Sequence, residues 1–209
     1  LSQTARTVAP VTLTTEADAT ELVRLREALK AERGDEAPGF NDALIKIAAL
    51  ALRDHPRLNA RLEGDEIVSE PVAHIGLAVE TERGLLVIVV RDAAARSLGE
   101  IAAETRRLIA RARAGEATGG DLRGSTFTVS SLGAYGIDAF TPMINAPECA
   151  ILGVGRIVRK PVVVGERIRA RHRITLSLTF DHRLVDGVPA ARFLQRITEL
   201  LEQPYRWVA

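Results

Sequence analysis

Near the C-terminal end, Ile174-Thr-Leu-Ser-Leu-Thr-Phe-Asp181 alternates apolar and polar side chains for eight residues without a break. A period of two does not suit an amphipathic helix and marks a strand with one face on a core. Leu85-Leu-Val-Ile-Val-Val90 is instead apolar throughout, as expected of a central strand covered on both faces. Helical periods lie between and around these segments, so the chain reads as an α/β (α+β) domain with helices packed on a mixed sheet.

The patterning predicts strands over 8–15, 66–69, 72–80, 85–90, 126–130, 149–154, 162–164 and 173–181. It predicts helices over 18–32, from a cap at Asn41 or Asp42 to just before Pro56, over 97–113, and over 188–202. Ser97-Leu-Gly-Glu100 is a capping box for the third helix, and Gly115 follows its end. No repeat or low-complexity linker divides the 209 residues, which are expected to form one domain. Aromatic residues make up only 4% of the chain, so its core must be aliphatic. A chain of this size buries about 70% of its unfolded surface and needs neither metal nor disulfide to hold it.

The composition also narrows the function classes. The apolar runs reach six or seven residues, against roughly 18 or more for a membrane span. The single cysteine, Cys149, points to a reducing compartment, expected to be a bacterial cytoplasm or its equivalent. A net charge of +1 argues against nucleic acid as the main partner. The exception is local: Arg156, Arg159, Lys160, Arg167, Arg169, Arg171 and Arg173 face a lone Glu166. That stretch reads as two short strands around Val164-Gly165-Glu166 with solvated arginines, though a basic patch can also meet phosphate. The four histidines show no metal-ligand spacing, and no metal is expected.

Two segments carry candidate chemistry. Extending the alternation of 174–181 places His182 in phase with the apolar residues, where burial favours the neutral imidazole that a general base requires. The pattern H-x-x-x-D-G would couple this base to a buried carboxylate, Asp186. The plain alternatives are a strand-end histidine bonded to backbone and an aspartate capping the last helix. In Phe127-Thr-Val-Ser-Ser-Leu-Gly133, Ser130 and Ser131 end a strand before a glycine-relaxed loop. Such hydroxyls satisfy backbone groups, donate to an oxyanion, or act as nucleophile in a Ser–His–Asp hydrolase. No G-x-S-x-G elbow supports the last of these, and no phosphate-binding glycine motif occurs.

Phe180-Asp-His-Arg-Leu-Val-Asp-Gly187 resembles the signature of the catalytic domain of 2-oxo acid dehydrogenase acyltransferases, the E2 components. Thr126-Phe-Thr-Val-Ser-Ser-Leu-Gly133 and Ile144-Asn-Ala-Pro-Glu-Cys-Ala-Ile-Leu-Gly153 resemble two further blocks. So do Phe40-Asn-Asp-Ala-Leu-Ile-Lys46 and Ile75-Gly-Leu-Ala-Val-Glu-Thr-Glu-Arg-Gly84. The resemblance implies the chloramphenicol acetyltransferase fold and homotrimers with active sites between subunits, which some relatives assemble further into a hollow core. It implies acyl transfer between a dihydrolipoamide thioester and coenzyme A. On it, His182 is the base for the thiol, Ser130 the oxyanion donor, and Asp186 a holder of the architecture.

Arg26, Glu80, Ser130, Ser131 and Gly155 match coenzyme A positions, although Glu80 and Gly39 stand where some members have Asp and Ser. Whole chains of this kind carry lipoyl and subunit-binding domains. Neither is recognised here, so an N-terminally truncated catalytic domain is expected, with the lipoyl domain as substrate and E1 and E3 components as partners of the full-length protein. A catalytically silent core subunit and an acyltransferase for a hydroxyl acceptor are the alternatives. The tail Gln203-Pro-Tyr-Arg-Trp-Val-Ala209 either docks into a neighbouring trimer or packs on its own subunit.

Overall fold

The computed structural model describes residues 8–64, 66–82 and 84–208. Its strands are β1 (Pro10–Asp18), β2 (Ala60–Glu63), β3 (Glu66–Ser69), β4 (Ile75–Thr81), β5 (Gly84–Val90), β6 (Phe127–Ser131), β7 (Ala150–Val154), β8 (Val158–Val164) and β9 (Arg167–Asp181). The helices are α1 (Thr20–Arg33), α2 (Phe40–Asp54), α3 (Leu98–Ala114), α4 (Gly119–Leu122) and α5 (Gly187–Glu202).

One sheet runs in the order β1-β9-β7-β6-β4-β5, with β8 hydrogen-bonded to β9 off that path, while β2 and β3 form a separate hairpin. The pairs β4–β6 and β6–β7 are parallel and the others in the large sheet antiparallel, so it is mixed, as expected. The alternation of 174–181 sets its two faces. Ile174, Leu176, Leu178 and Phe180 are buried with Leu152, Val129, Leu77 and Ile88 in the aliphatic core beneath the helices. Thr12, Thr14, Ser177, Thr179, Thr128 and Ser130 lie in the opposite phase. This second face is lined by hydroxyls, of which those of Thr128, Ser177 and Thr179 belong to buried residues.

The local signals act where the sequence places them. Ser97 Oγ accepts from the Glu100 amide at 3.2 Å while Glu100 Oε2 accepts from the Ser97 amide at 2.7 Å, and Gly115 takes a left-handed φ of 76° past the end of α3. For α2 the cap differs: Gly39 is the N-cap, and Asp42 in the first turn accepts the Gly39 amide at 2.7 Å. Lys46 is buried inside α2 because its Nζ donates to the carbonyls of Ala94 and Arg96.

Two expectations need correction. β5 is not central; it is the edge of the large sheet. An apolar run reports side-chain cover, not backbone pairing, and α3 and α4 lie against this edge while Ile88, Val89 and Val90 are buried. The strands of the basic stretch are also longer than expected, a hairpin turning at Gly165 (φ 62°). Trp207 packs on its own subunit, donating Nε1–H to the Leu200 carbonyl at 2.8 Å. No helix among the described residues is long and apolar enough to cross a membrane.

Candidate active site

His182 follows the last residue of β9, with its amide donating to the Ala9 carbonyl at 2.9 Å. The strand period does not continue through it. The chain turns after Asp181, and the imidazole side chain is 46% exposed, not desolvated as the alternation implies. Asp186 is likewise not the buried carboxylate that the H-x-x-x-D-G pattern suggested. It occupies the N-cap position of α5 with an 86% exposed side chain and no side-chain capping bond, and its Oδ1 lies 3.9 Å from His182 Nδ1. That distance permits ion pairing but is too long for a hydrogen bond.

The buried carboxylate is Asp181, one residue before the histidine. Its oxygens accept Arg183 Nε at 3.0 and 3.1 Å and Nη2 at 2.5 Å, and its Oδ1 also accepts the amides of Ala9 and Arg183. Burial opposes ionisation here, but the Arg183 fork and the two amides outweigh it and hold the carboxyl below its ordinary range. This clamp fixes the turn that presents His182. The sequence carried the signal, an Asp-x-Arg pair across the histidine, and reading the apolar phase alone missed it.

Ser130 sits on β6 in register with Gly153 of β7, which is in register with Ser177 of β9. Its side chain is half-buried on the hydroxyl face. Gly153 is small for a local reason: a Cβ there would lie 3.2 Å from Phe140 Cζ and 3.0 Å from Pro142 Cδ. The loop between β6 and β7 thus lays Phe140 and Pro142 against the strand beside Ser130. Glu80 on β4 shares this face and accepts a 2.5 Å hydrogen bond from Tyr135 Oη, whose pKa that bond raises. Below them Glu148 is buried; its Oε1 accepts from Ser125 at 2.5 Å and Asn145 at 2.9 Å, while Oε2 has no partner. Burial pushes the Glu148 carboxyl up to about 7.

The remaining candidates do not gather here. Ser131 is in phase with Phe127 and Val129, on the opposite face from Ser130. Gly155 shares the face of Ser130, but its open side is filled by the chain itself: a Cβ would stand 1.9 Å from the Asp138 carbonyl oxygen. Its missing side chain serves that loop and leaves no surface for a ligand to approach. Arg26 lies on α1 with its guanidinium 5.5 Å from the centroid of the Phe40 ring, and its buried Nε has no partner. Cys149 is buried, and burial pushes its thiol up to about 12, which makes it inert.

His182 and Ser130 do not meet within one chain. From Ser177, in the row of Ser130, to His182 is about 16 Å along β9, and two strand spacings add about 10 Å sideways, so some 20 Å separates them. An intrachain Ser–His–Asp triad is geometrically excluded.

The 2-oxoacid dehydrogenases acyltransferase (catalytic domain) family model matches residues 1–209. The chain belongs to that family. It is 45% identical over 193 residues to the lipoamide acyltransferase component of the branched-chain alpha-keto acid dehydrogenase complex of Pseudomonas aeruginosa, covering 90% of this chain and 45% of that one. It is 41% identical over 199 residues to the dihydrolipoyllysine-residue acetyltransferase component of the acetoin cleaving system of Bacillus subtilis, covering 94% and 50%. The chain thus spans about half the length of these curated relatives.

Among solved structures, the dihydrolipoamide acetyltransferase of Azotobacter vinelandii superposes with a TM-score of 0.95 at 37% identity, covering 100% of this chain and 88% of that one. The cubic core of the pyruvate dehydrogenase multienzyme complex gives the same TM-score and coverage at 38% identity. Chloramphenicol acetyltransferase superposes at 0.58 with 12% identity, covering 92% and 88%, a likeness of fold. The mixed-sheet acyltransferase fold expected from the sequence motifs is the fold observed.

Proposed function

We propose that this domain transfers an acyl group between a dihydrolipoamide thioester and coenzyme A at a site built from two copies, Ser130 of one and His182 of the other. The observation that carries this reading is the separation of some 20 Å between two half-exposed side chains. His182 is exposed and Ser130 half-buried, and neither can reach the other within its own chain. The Azotobacter structure supports the assignment, since its catalytic mechanism is discussed for a serine, a histidine and an asparagine with the same sequence spacing as Ser130, His182 and Asp186. Asp186 stands where that structure has an asparagine, so a carboxylate faces the imidazole in this chain.

In the forward direction His182 takes the proton of the coenzyme A thiol as its sulfur attacks the thioester carbonyl. The carbonyl electrons move to oxygen, and Ser130 Oγ–H donates to that oxyanion. Collapse expels the dihydrolipoamide thiolate, which recovers the proton from His182. One well-placed donor of this kind is worth about 3–4 kcal/mol in the transition state. The Asp181–Arg183 clamp holds the histidine without touching substrate. Arg26, with an unpartnered donor, is retained as an anchor for coenzyme A, whereas Ser131 and Gly155 are not.

The acyl group is proposed to be acetyl. Phe140 and Pro142 crowd the space beside Ser130, and Glu80 on the same face repels the free carboxylate of a succinyl group. The assembly is proposed to be a homotrimer within a multienzyme core, with the lipoyl domain of the longer protein delivering the acyl group and E1 and E3 components as its partners.

The test is subunit mixing. Ser130→Ala and His182→Ala, each expressed alone, should lose two or more orders of magnitude in acetyl transfer from acetyl-coenzyme A to dihydrolipoamide. Co-expressed at equal levels they should recover about a quarter of wild-type activity, because one site in four then pairs an intact serine with an intact histidine. A mixture as dead as its components would refute a shared site. A wild-type chain silent with acetyl, succinyl and isobutyryl donors would leave the scaffold reading.

A further inference from the structure

Glu148, just ahead of β7, is 5% exposed, and the acyl-transfer steps make no use of it. Its enclosure is polar but not charged. Oε1 accepts from Ser125 Oγ at 2.5 Å and from Asn145 Nδ2 at 2.9 Å, while Oε2 has no partner. Ionisable groups stand on the elements around it, but each is engaged elsewhere. Arg61 of β2 is bridged to Glu148 through the backbone, and its guanidinium is taken by Glu63 and Glu70. His74, ahead of β4, accepts the Asp92 amide at Nδ1, and Asp181 is held by Arg183. Cys149 is neutral.

Asn145 Nδ2 donates to Thr128 Oγ1 at 3.3 Å as well as to Glu148. Thr128 lies two residues before Ser130 on β6, roughly 7 Å along the strand. Asn145 also ends the stretch of loop whose Phe140 and Pro142 press on Gly153, the register partner of Ser130. The other end of that stretch is tied by Arg156, whose amide donates to the Ile137 carbonyl at 2.8 Å and whose Nε donates to Asp138 at 2.7 Å. The wall beside Ser130 is therefore strung between two ties. One is an exposed ion pair, and the other ends on a buried carboxyl.

We infer that Glu148, acting through Asn145, is a positioning residue that holds the wall of Phe140 and Pro142 against the strand of Ser130 and so sets the width of the acyl pocket. What the wall bounds rests on the acyl-transfer reading; the tie itself does not. A neutral carboxyl suits this enclosure. An ionised one leaves Oε2 a bare, buried anionic oxygen, and water reaches it only if the Asn145 tie gives way. Burial outweighs the hydrogen bonds from Ser125, Thr128 and Asn145 and pushes the carboxyl up to about 7, so the wall is held below that pH and released above it.

The measurement is the ratio of kcat/KM for isobutyryl- over acetyl-coenzyme A at pH 6 and pH 8, with dihydrolipoamide as acceptor. Ionisation of His182 affects both donors alike and cancels in the ratio. In the wild-type protein the ratio should rise at least about threefold between the two pH values, within the tenfold or more that room for one methylene commands. Glu148→Gln keeps the shape and stays neutral, so it should show the low ratio at both. Asn145→Ala should show the raised ratio already at pH 6. A wild-type ratio independent of pH, an equal rise in Glu148→Gln, or a wild-type ratio in Asn145→Ala at pH 6 would overturn the inference. Hydrogen–deuterium exchange over residues 137–149, corrected for its intrinsic pH dependence, reads the wall without catalysis. Protection should fall from pH 6 to pH 8 in the wild type and hold in Glu148→Gln. That pattern in a protein without transfer activity sinks the acyl-transfer reading and keeps the tie, whereas active transfer with protection unchanged in both proteins sinks the tie and keeps the reading.

Discussion

Removing the Phe140 ring should change which acyl group the site accepts. The ring edge stands 3.2 Å from where a Gly153 Cβ would be, and Gly153 is the register partner of Ser130, so Phe140→Ala opens space beside the proposed oxyanion donor. Isobutyryl exceeds acetyl by two carbons. At about 0.8 kcal/mol for each buried methylene equivalent, room for both is worth about 1.6 kcal/mol of transition-state binding. The ratio of kcat/KM for isobutyryl over acetyl should therefore rise about 15-fold. Phe140 is only half-buried, so the substitution should cost about 1–2 kcal/mol of stability, below the 3–5 typical of a fully buried ring. The assay is transfer to dihydrolipoamide from acetyl- and isobutyryl-coenzyme A, each over a range of donor concentration, with a melting curve as control. If both donors fall together and their ratio stays within twofold, Phe140 supports the loop and does not bound the acyl pocket. The choice of acetyl would then lose its structural basis.

Asp181→Asn should break the fork to Arg183 and cost about 2 kcal/mol, since the carboxylate is buried but the guanidinium is half-exposed; urea unfolding measures it. Because the Asp181 carboxyl ionises below its ordinary range in the fold, its contribution is present above the unfolded-state value and is lost as pH falls, so the variant should flatten the acid limb of a stability–pH profile. It should also lower kcat more than it raises KM, as His182 loses its fixed turn. Glu148 carries the opposite sign. With its carboxyl pushed up to about 7, stability is full below about pH 4.5 and declines as pH rises through 7, and Glu148→Gln should abolish a fall of about 3 kcal/mol across that window in chemical denaturation. Gly155→Ala should force the Asp138 carbonyl away from β7 and cost about 2–3 kcal/mol, seen as a lowered melting temperature; an unchanged value would show that the loop has room to yield.

What the sequence made legible follows from the range of the forces involved. The alternation of 174–181, the Ser97–Glu100 box and the stop at Gly115 are set by neighbours within a few residues, and each appears where the pattern places it. β2 is not legible because four residues with two apolar side chains, Ala60 and Leu62, are too few to establish a period, and the strand is defined by its pairing with β3. The edge position of β5 was hidden for a different reason. Side-chain hydrophobicity reports cover on the faces, whereas edge or centre depends on backbone partners that lie far along the chain. The same limit governs the site. His182 and Ser130 were found as residue types at strand ends, but their burial, the relation of Ser130 to Ser131 across the sheet, and the filling of Gly155 by Asp138 all depend on where a strand turns or a loop crosses. Period two, read one residue beyond Asp181, placed the histidine in the core; the turn clamped by Arg183 places it in solvent. On the proposed reading the turn has a functional consequence: a base buried in its own subunit could not serve a serine some 20 Å away, whereas an exposed one is free to complete the site of a neighbour.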